Sequence, residues 1–127
     1  MEILTETIKA ESLKSFQSTI RKSENALSSM TEKGANTTLV SKRLQALRIG
    51  LAVLEQVWDE KPHPYTHEDL KEARILLAGL LPSIEGIYAK SKPGSPQKTL
   101  LERRIKSLKL ALQAMDDITE RGQPSQM

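Results

Sequence analysis

The chain has 127 residues, with 19 Lys and Arg against 16 Asp and Glu, no Cys and 3% aromatic residues. That length bounds it to one domain, able to bury a core without covalent staples. The lack of Cys excludes a disulfide framework, a thiolate metal site and a Cys nucleophile, and a net charge of +3 is by itself too mild to argue for nucleic acid.

In chain order, Met1 to Lys14 lacks the basic-then-apolar layout of a signal peptide. No apolar run approaches the length that spans a bilayer. The first helix is expected from about Glu6 to about Glu32, capped by Thr5 or Thr7 and stopped at Gly34. Its apolar positions are Leu13, Phe16, Ile20, Leu27 and Met30, interrupted by Ser23. This seam is the thinnest in the chain, so the helix is expected to be the one that frays or moves.

Gly34 to Thr37 reads as a short turn. The helix that follows, Leu39 to Trp58, is the one the chain is organised around. Thr37 or Thr38 is its expected cap, and Lys61-Pro62-His63-Pro64 ends it after Glu60. Val40, Leu44, Leu47, Leu51, Leu54 and Trp58 recur at alternating spacings of four and three, which makes an apolar seam. A second stripe, Ala46, Ile49, Val53 and Val57, runs along other sides. A helix apolar nearly all round is buried on more than one side. It is therefore either the centre of a bundle or shared with another molecule.

The third helix opens on Thr66 and Asp69, a variant of the capping box, with Glu68 and Glu72 suiting the positive end of its dipole. Pro82 removes the bond to the carbonyl of Ala78 and crowds it, so a kink or a split is expected there. A packing kink is favoured over a functional hinge. Lys90 to Gly94 is a loop. Ser95 as cap and Pro96 at the first helical position open the fourth helix, with a seam of Leu101, Ile105, Leu108, Leu112 and Met115. Gly122 and Pro124 end it. No stretch alternates like a strand. The expectation is an all-α, antiparallel up-down-up-down four-helix bundle over residues 1–122, with the third helix kinked at Pro82 and a disordered tail over 123–127. Its expected core includes Ile20, Leu44, Leu47, Leu51, Leu54, Leu77, Ile105, Leu108 and Leu112.

Chemistry finds little support in the sequence. His63 and His67 are four apart, but His63 lies in a Pro-flanked loop, so that spacing gives no shared helical face for a metal. There is no phosphate loop and no nucleophile elbow. The paired acids Asp59-Glu60, Glu68-Asp69 and Asp116-Asp117 lie near helix ends, where nothing promises the burial that raises a carboxyl pKa. Neither an enzyme nor a metal nor a cofactor is expected. Phe16, Trp58, Tyr65 and Tyr88 are too few for a base-stacking platform. Trp58 reads as a core anchor and Tyr65 as part of a rigid turn.

Charge is more informative. Within residues 90–109, Lys90, Lys92, Lys98, Arg103, Arg104, Lys106 and Lys109 face Glu102 alone. Folded into an antiparallel bundle, Lys42, Arg43, Lys90, Lys92, Lys98, Arg103 and Arg104 gather at one pole and acids at the other. The second and fourth helices then carry charges that oppose their macrodipoles, a local rule broken in a way that flags function. The favoured reading is a cytoplasmic, non-enzymatic protein–protein interaction module. It docks an acidic protein partner on the basic pole and forms a homodimer through Ile49, Val53 and Val57. The alternative is a nucleic-acid or anionic-ligand binder using the same pole. No membrane partner is expected.

Overall fold

We describe the protein from a computed structural model, which places residues 5–122 and the side chains of residues 5–118. The tail expected over residues 123–127 lies outside the described residues. The fold is all-helical, with four helices and no strand among the described residues: α1 Glu6–Glu32, α2 Thr38–Asp59, α3 His67–Lys90 and α4 Pro96–Gly122.

Local chemistry sets most of these boundaries. The Thr5 hydroxyl accepts from the Ile8 N–H at 3.1 Å and caps α1. Gly34 sits at φ 74° after its end, a conformation that suits a residue without Cβ. Thr37 occupies the cap position of α2, but its side chain caps nothing; the Asn36 side chain instead accepts from the Thr38 N–H at 2.9 Å. α2 closes through Glu60, a non-glycine residue in the left-handed region at φ 57°. At α3 both halves of the Thr66–Asp69 capping box form, each at 3.0 Å. Ser95 caps α4 by accepting from the Lys98 N–H at 3.2 Å. α3 runs from His67 through Pro82 to Lys90 as one helix, so the proline does not split it.

The helices pack as a rhombus. α2 and α4 touch each other and both of their neighbours, while the α1 and α3 backbones do not approach one another. α2 is therefore covered from three sides, which is why its buried face is so wide: Leu44, Ala46, Leu47, Ile49, Gly50, Val53 and Leu54. Leu44, Leu47, Leu54, Leu77 and Leu108 are buried as expected, whereas Ile20, Leu51, Ile105 and Leu112 are only half-buried. The second stripe of α2 takes the place that Leu51 was expected to hold.

α1 contributes only Ser12 and Phe16 to the fully buried set. Its many hydroxyl residues have two uses. Thr19 and Thr31 donate to the carbonyls of Ser15 and Leu27, one turn back, at 2.9 and 2.8 Å. Small Ser12 and Ser107 are buried, and the Ser107 hydroxyl, which donates to the Arg104 carbonyl at 2.8 Å, lies 3.5 Å from that of Ser15 on α1.

Ion pairs lie across the helix contacts. Arg48 reaches Glu24 at 2.7 Å, Arg103 reaches Glu11 at 3.3 Å, Lys109 reaches Glu85 at 3.6 Å, and Arg74 holds Asp116 through two bonds of 2.6 and 3.1 Å. The Arg74 hydrogen bonds keep the Asp116 carboxyl below its ordinary pKa, against the opposing effect of desolvation. A carboxyl depressed in the folded state stabilises the fold above its unfolded pKa, and that contribution is lost as pH falls through the folded value. Both partners are exposed, so Asp116→Asn is expected to cost only about 0.2–1 kcal/mol at neutral pH. The gap between wild type and variant in chemical denaturation should close as the pH is taken down through the acid range. A gap that persists in strong acid would mean the carboxylate is not its source.

Candidate functional site

Two grooves lie on opposite edges of the rhombus. The first, about 330 Å³, runs between α2 and α3. Its floor is Ala46, Ile49, Ala73 and Leu76, and Ile75 lines it while 64% exposed. Lys42 and Gln45 line the α2 side, and Asp69 and Glu72 the α3 side. The second, about 160 Å³, runs between α1 and α4. Lys14, Lys22, Arg103 and Arg104 line it, with Glu11, Ser15, Ser18 and Leu100.

These placements revise the expected self-association surface. Ile49 is 3% exposed and Val53 is 0% exposed, both in the chain's own core; of the three expected residues only Val57, at 46%, reaches solvent. The reason is the rhombus: α2 is enclosed by α1, α3 and α4 of the same chain, so its second stripe needs no second molecule to cover it. Ile49 still forms part of the floor of the α2–α3 groove.

The seven basic residues expected at one pole are likewise divided. Lys42 lines the α2–α3 groove, with Asp69 and Glu72 on the far wall, whereas Arg103 and Arg104 line the α1–α4 groove on the opposite edge. The start of α2 therefore lies beside the start of α3, although these residues were expected at opposite ends. The chain between α2 and α3 returns along the bundle, and Tyr65 within it packs on the core. Lys90 and Lys92 are exposed around the turn that joins α3 to α4, and Arg43 is exposed on α2. Lys98 is held in place: its Nζ lies 4.5 Å over the Tyr88 ring and 3.5 Å from the Ser91 carbonyl, to which it donates.

Lys14 and Lys22 escaped the sequence reading. Charges were counted by the end of the bundle they fall on, which hides a cluster built across two helix faces. The signal is there in the spacing: Lys14, Ser18 and Lys22 lie four apart and so share one side of α1.

Elsewhere, His63 accepts from the Tyr65 N–H at 3.2 Å through Nδ1 and its ring lies 5.6 Å from that of Tyr65, while His67 is exposed. No group of three or more His, Cys, Asp or Glu converges among the described residues, and no helix among them is long and apolar enough to cross a membrane. Scanned against protein-family models, curated proteins and solved structures, the chain finds no match in any of the three.

Proposed function

We propose that the chain is a non-enzymatic interaction module that pairs with a second copy of itself across the α2–α3 groove and binds an acidic protein partner through its basic residues. The observation that carries the pairing is the α2–α3 groove, which has an apolar floor, a strongly exposed Ile75 at its side, and opposite charges on its two walls. An isologous two-fold contact presents the same patch on both copies. It sets Lys42 of each copy against Asp69 and Glu72 of the other, while the two Ile75 side chains leave water together. Lys90 and Lys92, exposed around the α3–α4 turn, and the anchored Lys98 suit an acidic partner.

In this reading the chain is one cytoplasmic domain over residues 1–122, with α3 antiparallel to α4, kinked at Pro82, and running beside α2 in the same direction rather than in the expected up-down-up-down order. Support for the antiparallel α3–α4 pair is that Arg74 pairs with Asp116 and Glu85 with Lys109, so the partners step in opposite directions along the two helices. Support for the kink is the hydrogen bond that Pro82 cannot donate within α3.

Sedimentation equilibrium tests the pairing. Wild type should sediment as a dimer and Ile75→Glu as a monomer with an unchanged melting temperature, because Ile75 lies outside the buried core. A wild type that stays monomeric at high micromolar concentration would rule out self-association.

A further inference from the structure

We propose that the α1–α4 groove is a binding site for a phosphate monoester. Lys14, Lys22, Arg103 and Arg104 line it against a single acid, Glu11, which leaves a formal excess of three positive charges (four basic residues less one acidic) in one small concavity. Only Arg103 among these cations is paired with a carboxylate among the described residues, at 3.3 Å to Glu11.

Arg104 is the telling residue. It lines both this groove and a small cavity with Phe16, Leu80 and Leu108, and the residue as a whole is half-buried. Its Nε is shut off from solvent and has no hydrogen-bond partner among the described residues. A guanidinium kept there without a carboxylate is an arrangement that an incoming anion would stabilise. Arg also presents the planar fork that matches phosphate oxygens in pairs.

The ligand class follows from charge, size and the available donors. A phosphate monoester carries about −1.5 to −2 charge and three strong acceptor oxygens, where a carboxylate offers one charge and two oxygens. Ser15 and Ser18 line the groove and supply hydroxyl donors. The groove, at about 160 Å³, falls below the roughly 300–1,000 Å³ of pockets that enclose a whole drug-sized ligand. It therefore takes a headgroup, with the rest of the ligand outside, where 55% exposed Leu100 offers an apolar contact. None of the residues lining the groove is aromatic, which disfavours stacked nucleobases. The proposal does not rest on self-association, which uses the opposite edge of the bundle.

The test is an amide NMR titration of the full chain with inorganic phosphate, a phosphoserine peptide, the same peptide carrying Ser or Glu at that position, and a short oligothymidylate. The phosphoserine peptide should shift the amides of residues 14–22 and 100–104 and bind at least about tenfold tighter than the Glu peptide. Phosphoserine peptide tighter than inorganic phosphate assigns the source to a protein partner; equal affinity assigns it to a small phosphorylated molecule. Lys14→Gln with Lys22→Gln should weaken binding about tenfold or more. Arg104→Lys, which keeps the charge and loses the fork, should weaken it as well. Because Arg104 reaches the core, the exposed lysine pair keeps the test independent of folding. A Glu peptide that binds as tightly as the phosphoserine one, or shifts confined to other surfaces, overturns the proposal. Oligothymidylate binding tighter than the phosphoserine peptide overturns it in favour of a nucleic-acid surface.

Discussion

Phe16→Ala is expected to lower the unfolding free energy by about 3–5 kcal/mol. Phe16 is one of only two fully buried residues on α1, and the other is Ser12. Its ring reaches the place on α2 where Gly50 has no side chain, alongside Leu77 of α3, and it shares a small cavity with Leu80, Ile84 and Leu108. One ring thus bridges all four helices. Removing it leaves a hole that Gly50 cannot help to fill. A small domain has about 5–15 kcal/mol of stability in total, so the loss is a large fraction of it. Urea denaturation should show a lower midpoint with an unchanged slope. Amide exchange should show α1 losing protection more than α2 or α3. Lys14 and Lys22 ride on α1, so phosphate binding at the α1–α4 groove should fall along with the protection. A loss under about 1 kcal/mol would mean that neighbouring side chains collapse into the space.

Much of this fold was legible in the sequence, for reasons that are local. A capping box, a proline at the first helical position and a glycine after a periodic run act within one turn of backbone, and α3 and α4 begin, and α1 ends, where those signals lie. The α2 cap was not legible: Asn36, rather than Thr37 or Thr38, makes the side-chain bond, because the choice depends on backbone angles in a short turn. The apolar stripes of α2 were visible too, but not their partners. Ile49 and Val53 look spare when each helix is assumed to bury one face. They are core because α2 lies on the short diagonal of a rhombus, and which diagonal is short depends on side-chain volumes across four helices. Gly50, over which Phe16 and Leu77 close, and the buried Ser12 and Ser107 take part in that packing, and none stands out in a hydropathy pattern. The basic pole was half legible. Arg103 and Arg104 were picked out from local charge density, but their partners Lys14 and Lys22 lie some eighty residues earlier on another helix. Lys42 was misplaced because the connection between α2 and α3 was read as a simple reversal. It instead brings the start of α3 back beside Lys42.

Gly50→Val should also destabilise the fold, by about 3 kcal/mol, the upper part of the usual range for overpacking. A Cβ built at Gly50 lies 2.9 Å from Cε1 of Phe16, closer than such carbons are found, and 3.0 Å from Cδ1 of Leu77, a tight contact in which the neighbour must give way. Both neighbours are fully buried, so neither has room to swing away. The smaller Gly50→Ala sets two effects against each other. Ala is favoured over Gly in a helix interior by about 0.8–1.0 kcal/mol, while overpacking costs about 1–3 kcal/mol; the net sign is destabilising. Gly79→Ala separates the two effects, because nothing lies within 4 Å of a Cβ at that position. There the helix preference acts alone, and the variant should be more stable than wild type by up to about 1 kcal/mol. Phe16→Leu tests the contact from its other side. Combined with Gly50→Ala it should cost less than the sum of the two single changes, by about 0.5–3 kcal/mol, because a shorter side chain on α1 makes room for the new methyl on α2. Thermal melts of these variants decide the matter together. If Gly50→Ala stabilises the protein as much as Gly79→Ala does, α1 and α3 do not close over Gly50, and Phe16 is not what holds α1 in the bundle.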